Sequence, residues 1–278
     1  MEDFFNNPEV LLVLQGGVVP FVAAFIVMLL LQSVRLGGLA VVAAFCTVVY
    51  FFAAFSFTPL TATRKIILLG IASPIVGILA DFAFKPTRIG GAALALAGAA
   101  ATVWVFWPVL WQNQTADVWM LGGAAAVAVA FMIWFGQVYL AGHAVRAGAA
   151  GLGVGMGVGI ASVFAASATY ALYGLALGAG SSAFLLVQII NGRPGFAGAT
   201  FTLPAMLIAG LIAAAAMILA KLPWYSLLML ALVPVGAALP VPGKASVWLQ
   251  ALLLSFYTFV IAAIAWFFSW HSEGGIPG

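Results

Sequence analysis

The sequence predicts an all-α fold, a polytopic transmembrane helical bundle of about ten spans. Of its 278 residues, 66% are hydrophobic and only 5% are charged, whereas soluble domains average about 25% charged residues. So few charges cannot cover a water-facing surface, which excludes soluble globular and disordered chains. The apolar stretches are continuous and about 20 residues long, as bilayer-crossing helices require. Strands of a membrane barrel would alternate every second residue instead.

Charges and Pro, Gly and Asn residues divide the chain into ten apolar stretches. The sixth and seventh are separated only by Ala168-Thr169-Tyr170, and the ninth is short, so eight or nine spans are the alternatives. The connections are short, so no soluble domain is expected, and residues 1–278 form one predicted integral membrane domain. The predicted spans lie near 10–32, 36–57, 65–84, 90–111, 118–141, 147–168, 170–190, 200–220, 224–240 and 247–270.

The basic residues between the spans predict the orientation, because cytoplasmic loops carry an excess of Lys and Arg. With both termini outside, the inner connections hold Arg35, Lys85, Arg88, Arg146, Arg193 and Lys244. The outer connections then hold Arg64, Lys65 and Lys221. The excess on the first side favours an N-out, C-out arrangement. It also explains the net charge of +3 without nucleic-acid binding, for which no basic cluster is present.

The sixth span carries five glycines at alternate positions, namely Gly151, Gly153, Gly155, Gly157 and Gly159. On a helix, the first, third and fifth share one face, and the other two share a second face. Each helical Gly costs about 1 kcal/mol relative to Ala, so the run predicts that two neighbouring helices pack closely here. We expect these neighbours within the same chain. The alternative is a seam with a second copy or with other membrane subunits.

Seven residues are candidates for a solute or coupling site. Prolines inside spans free backbone groups, which transporters use to hold substrates, and buried amides either bind a polar solute or bond to neighbouring helices. Asp81 is the only acidic residue inside a predicted span, a position that is a functional candidate. Because Lys85 follows at i+4, we favour a self-neutralising pair over proton or cation coupling. The candidates are Pro20, Pro74, Asp81, Gln137, Gln188, Pro234 and Gln250.

Residues for catalysis or metal binding are scarce. The chain has one cysteine and two histidines, and His143 and His271 fall at opposite ends of the bilayer in the predicted topology. These counts exclude a cysteine metal cluster and a three-histidine zinc site, and the separation excludes bis-histidine haem ligation within this chain. We therefore predict no catalytic, cofactor-binding or metal-binding residue, and no enzyme activity.

Two functions fit this pattern. The first is a permease for a small neutral or zwitterionic solute, because no buried charge is available to pair with an ion. The alternative is a non-catalytic structural or accessory subunit of a larger membrane complex. A permease predicts a polar cavity at mid-depth near Pro20, Pro74 and Pro234, and a subunit predicts a solidly packed interior. Either would be a multi-pass protein in contact with lipid, which we expect in a bacterial inner (cytoplasmic) membrane.

Overall fold

The computed structural model describes residues 8–53, 55, 57–83, 87–112, 116–242 and 245–272. Within these ranges it contains ten helices and no strand. The first, α1, covers 8–31 and includes a π turn at Leu14–Val18; α5 continues into a second π turn at Gly136–Leu140. The remaining bounds are α2 Leu39–Ala53, α3 Ala62–Ala83, α4 Arg88–Gln112, α5 Ala116–Phe135, α6 Ala144–Phe164, α7 Ala168–Asn191, α8 Gly198–Leu219, α9 Trp224–Gly236 and α10 Val247–Ser272.

Eight of these ten helices are long and apolar enough to cross a membrane. When the π turn that follows α5 is counted with that helix, their ends agree with the predicted spans to within four residues. The chain is therefore a multi-pass integral membrane protein with an all-α helical fold. The outward-facing surface is apolar, as lipid contact requires: Ile89 is 83% exposed, Leu30 70% and Val127 69%.

Two helices are shorter than their predicted spans. Helix α2 has 15 residues and α9 has 13, or about 22 and 20 Å at 1.5 Å per residue, less than the roughly 30 Å of a hydrocarbon core. Beyond α2, Phe55 takes a left-handed conformation with φ of 46°, which ends helical geometry. Beyond α9, Pro240 and Pro242 prevent the helix from continuing. Both helices therefore end four residues before the predicted span ends at 57 and 240.

Helix α8 forms the centre of the bundle. Every residue from Gly198 to Met217 is buried, and α3, α5, α6 and α7 all pack against it. Such all-round burial explains why α8 is apolar on every face, since a helix with one exposed side would be amphipathic. Helices α6 and α7 form the most extensive pair and cover much of the rest of the core.

Side-chain and backbone contacts define two ends of the bundle. At one end, the last turn of α3 contacts the first turn of α8, and the end of α1 contacts the end of α7. We call this end the basic face, because its described residues include Arg35, Arg88, Arg146 and Arg193. The other end carries an aromatic group in which Trp107 contacts both Trp111 and Trp119. Interfacial tryptophans of this kind are typical of a membrane boundary. The N-out, C-out orientation itself stays a prediction.

The glycine rows of α6 contact two different neighbours, both within this chain. A Cβ on Gly155 would meet the backbone of Gly178 in α7, and one on Gly159 would come within 2.9 Å of the Leu175 backbone nitrogen. On the other face, a Cβ on Gly153 would meet Thr258 of α10. All five glycines are buried. A seam with another subunit would therefore require α6 to separate from α7 and α10.

Candidate functional site

The first turn of α8 is held by a carboxylate from another helix. Asp81, in the last turn of α3, accepts hydrogen bonds from the backbone N–H groups of Ala199 and Thr200, both at 2.7 Å. The Thr200 hydroxyl donates a third bond at 2.7 Å. The first N–H groups of a helix have no partner within it, and its positive end favours an anion. Asp81 thus supplies from α3 the N-cap that Ala197 cannot provide.

Two glycines allow this approach. Gly77 lies four residues before Asp81, and a Cβ there would come within 2.7 Å of the Ala199 carbonyl oxygen. Gly198 has φ of 61°, a conformation that favours glycine, and a Cβ on it would overlap the Asp81 carboxylate. The Gly198 N–H donates to the carbonyl of Ala141 at 3.1 Å. The start of α8 is therefore fixed from α3 and from the connection after α5.

Gln137 completes this cluster from the π turn of α5. Its Nε2 donates to the Thr202 hydroxyl oxygen at 2.9 Å, and Thr202 in turn donates to the Gly198 carbonyl at 2.8 Å. π turns inside α-helices are frequent at functional sites. The structure thus brings two of the seven predicted candidates, Asp81 and Gln137, to one place. We call Asp81, Gln137, Thr200 and Thr202 the α8 cap cluster.

The favoured Asp81–Lys85 pair falls partly outside the described residues, because Lys85 lies in the gap between 83 and 87. What the structure describes is an Asp81 whose two carboxylate oxygens are both bonded to α8. Asp81 is also the only acidic residue whose side chain is described. A role in proton or cation coupling stays untested.

The three candidate prolines lie apart. Pro20 follows the π turn of α1, where the Val19 N–H donates to the Leu14 carbonyl. Pro234 lies in α9, which packs on α5, α6 and α10, whereas α1 packs on α2 and α7. Pro74 leaves the Gly70 carbonyl without its usual helical donor, and the Ser73 hydroxyl donates to that oxygen at 3.0 Å. All three prolines are buried within packed helices.

Lys65 plays a part that the sequence reasoning missed. Pro108 has no N–H to give the Trp104 carbonyl four residues earlier. Lys65 Nζ donates to that carbonyl at 2.9 Å and lies 4.7 Å from the Trp104 ring centroid. Although treated as an outer-loop charge, Lys65 is only 8% exposed. The spacing of Trp104 and Pro108 indicates that the Trp104 carbonyl lacks its helical donor. Nothing in the sequence indicates that Lys65 supplies the missing bond.

The remaining amide candidates are separated from the cap cluster. Gln188 is 1% exposed; its Nε2 donates to Phe184 O at 3.2 Å, and its Oε1 accepts from Gly195 N–H at 3.3 Å. Gln250, in the first turn of α10, donates to Ala245 O at 2.8 Å. Both amides therefore stabilise nearby backbone.

Two crevices open from the described surface. One, of about 330 Å³, is polar and lies at the basic face beside Gln188. The other, of about 490 Å³, is lined by α1, α6, α7 and α10 and is almost wholly apolar. Neither is lined by Pro20, Pro74 or Pro234.

The cap cluster offers hydrogen bonding and one negative charge, but its groups already bond to each other. Within the described residues no three His, Cys, Asp or Glu side chains come together as metal ligands would. The geometry supports a structural role, because these bonds fix the first turn of the central helix α8 to two neighbouring parts of the chain. No protein-family model, curated protein or solved structure matches this chain.

Proposed function

We propose that this chain is a non-catalytic accessory subunit that supports a larger membrane complex, in a bacterial inner membrane. The observation that carries the proposal is the burial of α8 along 20 consecutive residues, from Gly198 to Met217. In a ten-helix permease the substrate path runs through the middle of the bundle, at the interface of its repeats. Here a solid apolar helix occupies that position.

The hydrogen bonding of buried polar groups supports the same proposal. The mid-span hydroxyls of Ser73, Thr102 and Thr258 donate to helix carbonyls at 2.8–3.0 Å. Among the buried side-chain polar atoms of the described residues, only the hydroxyl oxygens of Ser162 and Ser181 have no partner. A permease needs polar groups that face a solute, whereas a scaffold needs its polar groups satisfied internally.

A permease for a small neutral or zwitterionic solute is the second candidate, and the α8 cap cluster favours it. Transporters often place helix N-termini and uncharged amides at their binding sites. The cluster combines both, with Gln137 and Thr202 beside the start of α8. In this alternative, the bonds from Asp81 to α8 form a gate that closes the basic face.

Native purification separates the two candidates. The tagged chain is extracted from its own host in a mild detergent, and co-purifying proteins are quantified by mass spectrometry against a host carrying the untagged chain. The accessory proposal predicts one or more membrane proteins at stoichiometric amounts. A chain that purifies alone or only with copies of itself contradicts the accessory proposal and favours the permease. The solute of the permease would then be identified by the shift that it causes in the melting temperature.

A further inference from the structure

The polar crevice at the basic face lies between the ends of α1 and α7 and the segment 192–197. Its volume is about 330 Å³, and its polar lining is supplied by Gln32, Ser33, Gln188, Asn191 and Arg193. Neither proposed function uses this crevice. None of its described lining residues forms a hydrogen bond to Asp81, Gln137 or Thr202, so it is separate from the hydrogen-bond network of the α8 cap cluster.

The inner wall of the crevice is built from amide side chains that bond to each other or to nearby backbone. Asn191 Nδ2 donates to Gln32 Oε1 at 2.8 Å, which ties the end of α7 to the end of α1. Gln188 bonds to Phe184 O and to Gly195 N–H. These bonds hold Gln188 from two sides and tie Asn191 to Gln32, which gives the wall a defined shape.

The mouth of the crevice carries unpaired hydrogen-bond donors, and the main one is positively charged. The side chains of Arg193 and Ser33 are exposed and have no hydrogen-bond or ion-pair partner among the described residues. A guanidinium offers five N–H donors in a planar fork that fits phosphate oxygens. Nearby, the Arg35 guanidinium lies 5.7 Å from the centre of the Phe196 ring, which holds a second positive charge against the same segment.

The charges at this end also favour an anion from outside the chain. Two helix C-termini converge here, and each carries about half a negative charge, so Arg35 and Arg193 outweigh them. No described carboxylate lies at the crevice, because the only described acidic side chain, Asp81, is bonded to α8. In the predicted orientation this face meets the cytoplasmic leaflet, which is the leaflet rich in anionic lipids.

We propose that this crevice binds the phosphate of an anionic phospholipid headgroup, with Arg193 as its main ligand and Ser33 as a hydrogen-bond donor. Basic crevices between transmembrane helices are suited to such headgroups. A zwitterionic lipid would bring its own ammonium group, which Arg193 and Arg35 would repel. The crevice therefore prefers a headgroup with net negative charge.

The test measures lipid binding to the purified, delipidated full chain. Dioleoyl phosphatidylglycerol, dioleoyl phosphatidylcholine or inorganic phosphate is titrated at equal phosphate concentration, and the melting temperature is followed. Bound lipid is counted independently by native mass spectrometry. The variant Arg193→Gln removes the main ligand. Arg88→Gln is the matched control, because Arg88 is an exposed arginine on the same face that does not line the crevice.

The proposal predicts that phosphatidylglycerol raises the melting temperature and that Arg193→Gln weakens this binding about tenfold, as loss of one charge-assisted contact should. Arg88→Gln should bind like the wild type, and unliganded Arg193→Gln should melt like the wild type. Equal binding of phosphatidylcholine, or equal losses in both variants, overturns the proposal. An equal shift with inorganic phosphate also overturns it, by assigning the crevice to a free anion.

Discussion

Replacing Asp81 by asparagine tests whether its carboxylate holds the central helix in place. The wild-type carboxylate accepts three bonds of 2.7 Å, two from backbone N–H groups and one from the Thr200 hydroxyl. An asparagine keeps one acceptor oxygen and turns an NH₂ group towards the remaining donors. At least one donor at the start of α8 then loses its partner, and Ala199 and Thr200 are buried.

The magnitude follows from these contacts. Leaving a buried donor unpaired costs about 1–3 kcal/mol, and losing an N-cap typically costs about 1 kcal/mol. These two costs describe the same broken bonds and are not summed. Asp81 itself is half-buried, so water can compensate in part. We expect Asp81→Asn to lower the free energy of unfolding by about 2 kcal/mol.

The assay is reversible unfolding by sodium dodecyl sulfate in mixed micelles, followed by circular dichroism. Thr200→Val is the matched variant, because it removes only the hydroxyl bond and should cost about 1 kcal/mol. The double variant should be less destabilised than the sum of the two, since both changes break the same Oδ2 contact. Wild-type stability of Asp81→Asn, or strict additivity of the pair, would refute this description of the cap.

Two further predictions concern packing between helices. Lys65→Met should destabilise the wild type by about 1 kcal/mol more than it destabilises the Pro108→Ala variant. In Pro108→Ala, the restored backbone N–H donates to the Trp104 carbonyl and replaces the lysine. Equal effects of Lys65→Met in the two backgrounds of a double-mutant cycle would disprove the proposed capping. Gly155→Val should cost several kcal/mol or prevent assembly, because its Cβ would meet backbone. Gly123→Val, where a Cβ meets nothing within 4 Å, should remain near wild-type stability in the same assay, and equal losses would contradict the packing.

The helices and the close packing of α6 could be predicted because they depend on local properties. The length of each apolar stretch, and the charged, Pro, Gly and Asn residues that separate the stretches, can be read directly from the sequence. The eight long helices end within four residues of the predicted spans. The two faces of glycine follow from the helical period alone. The sequence could not say where α2 and α9 stop short, because those ends depend on backbone geometry at Phe55 and on the context of Pro240.

The candidate site was predicted only in part, because its contacts join distant parts of the chain. Asp81 could be recognised as an unusual carboxylate, but its partners lie 118 and 119 residues further on. The only nearby partner that the sequence itself indicates is Lys85, four residues further on. Thr200 and Thr202 carried no signal beyond their place at the start of a span. Lys65 was read as a loop charge because nothing local shows that a carbonyl 39 residues away receives it.

The middle of the bundle is solid along α8. Cysteine accessibility tests it most directly, in a Cys46→Ala background with single cysteines at Ala209, at Ser33 and at Lys221. Ala209 is 1% exposed, and the other two positions are exposed at opposite ends. A charged, membrane-impermeant thiol reagent is applied to vesicles of both orientations. We expect labelling at the Ser33 and Lys221 positions and none at Ala209. Labelling at Ala209 at a rate comparable to the exposed positions would reveal a water-filled path and contradict it.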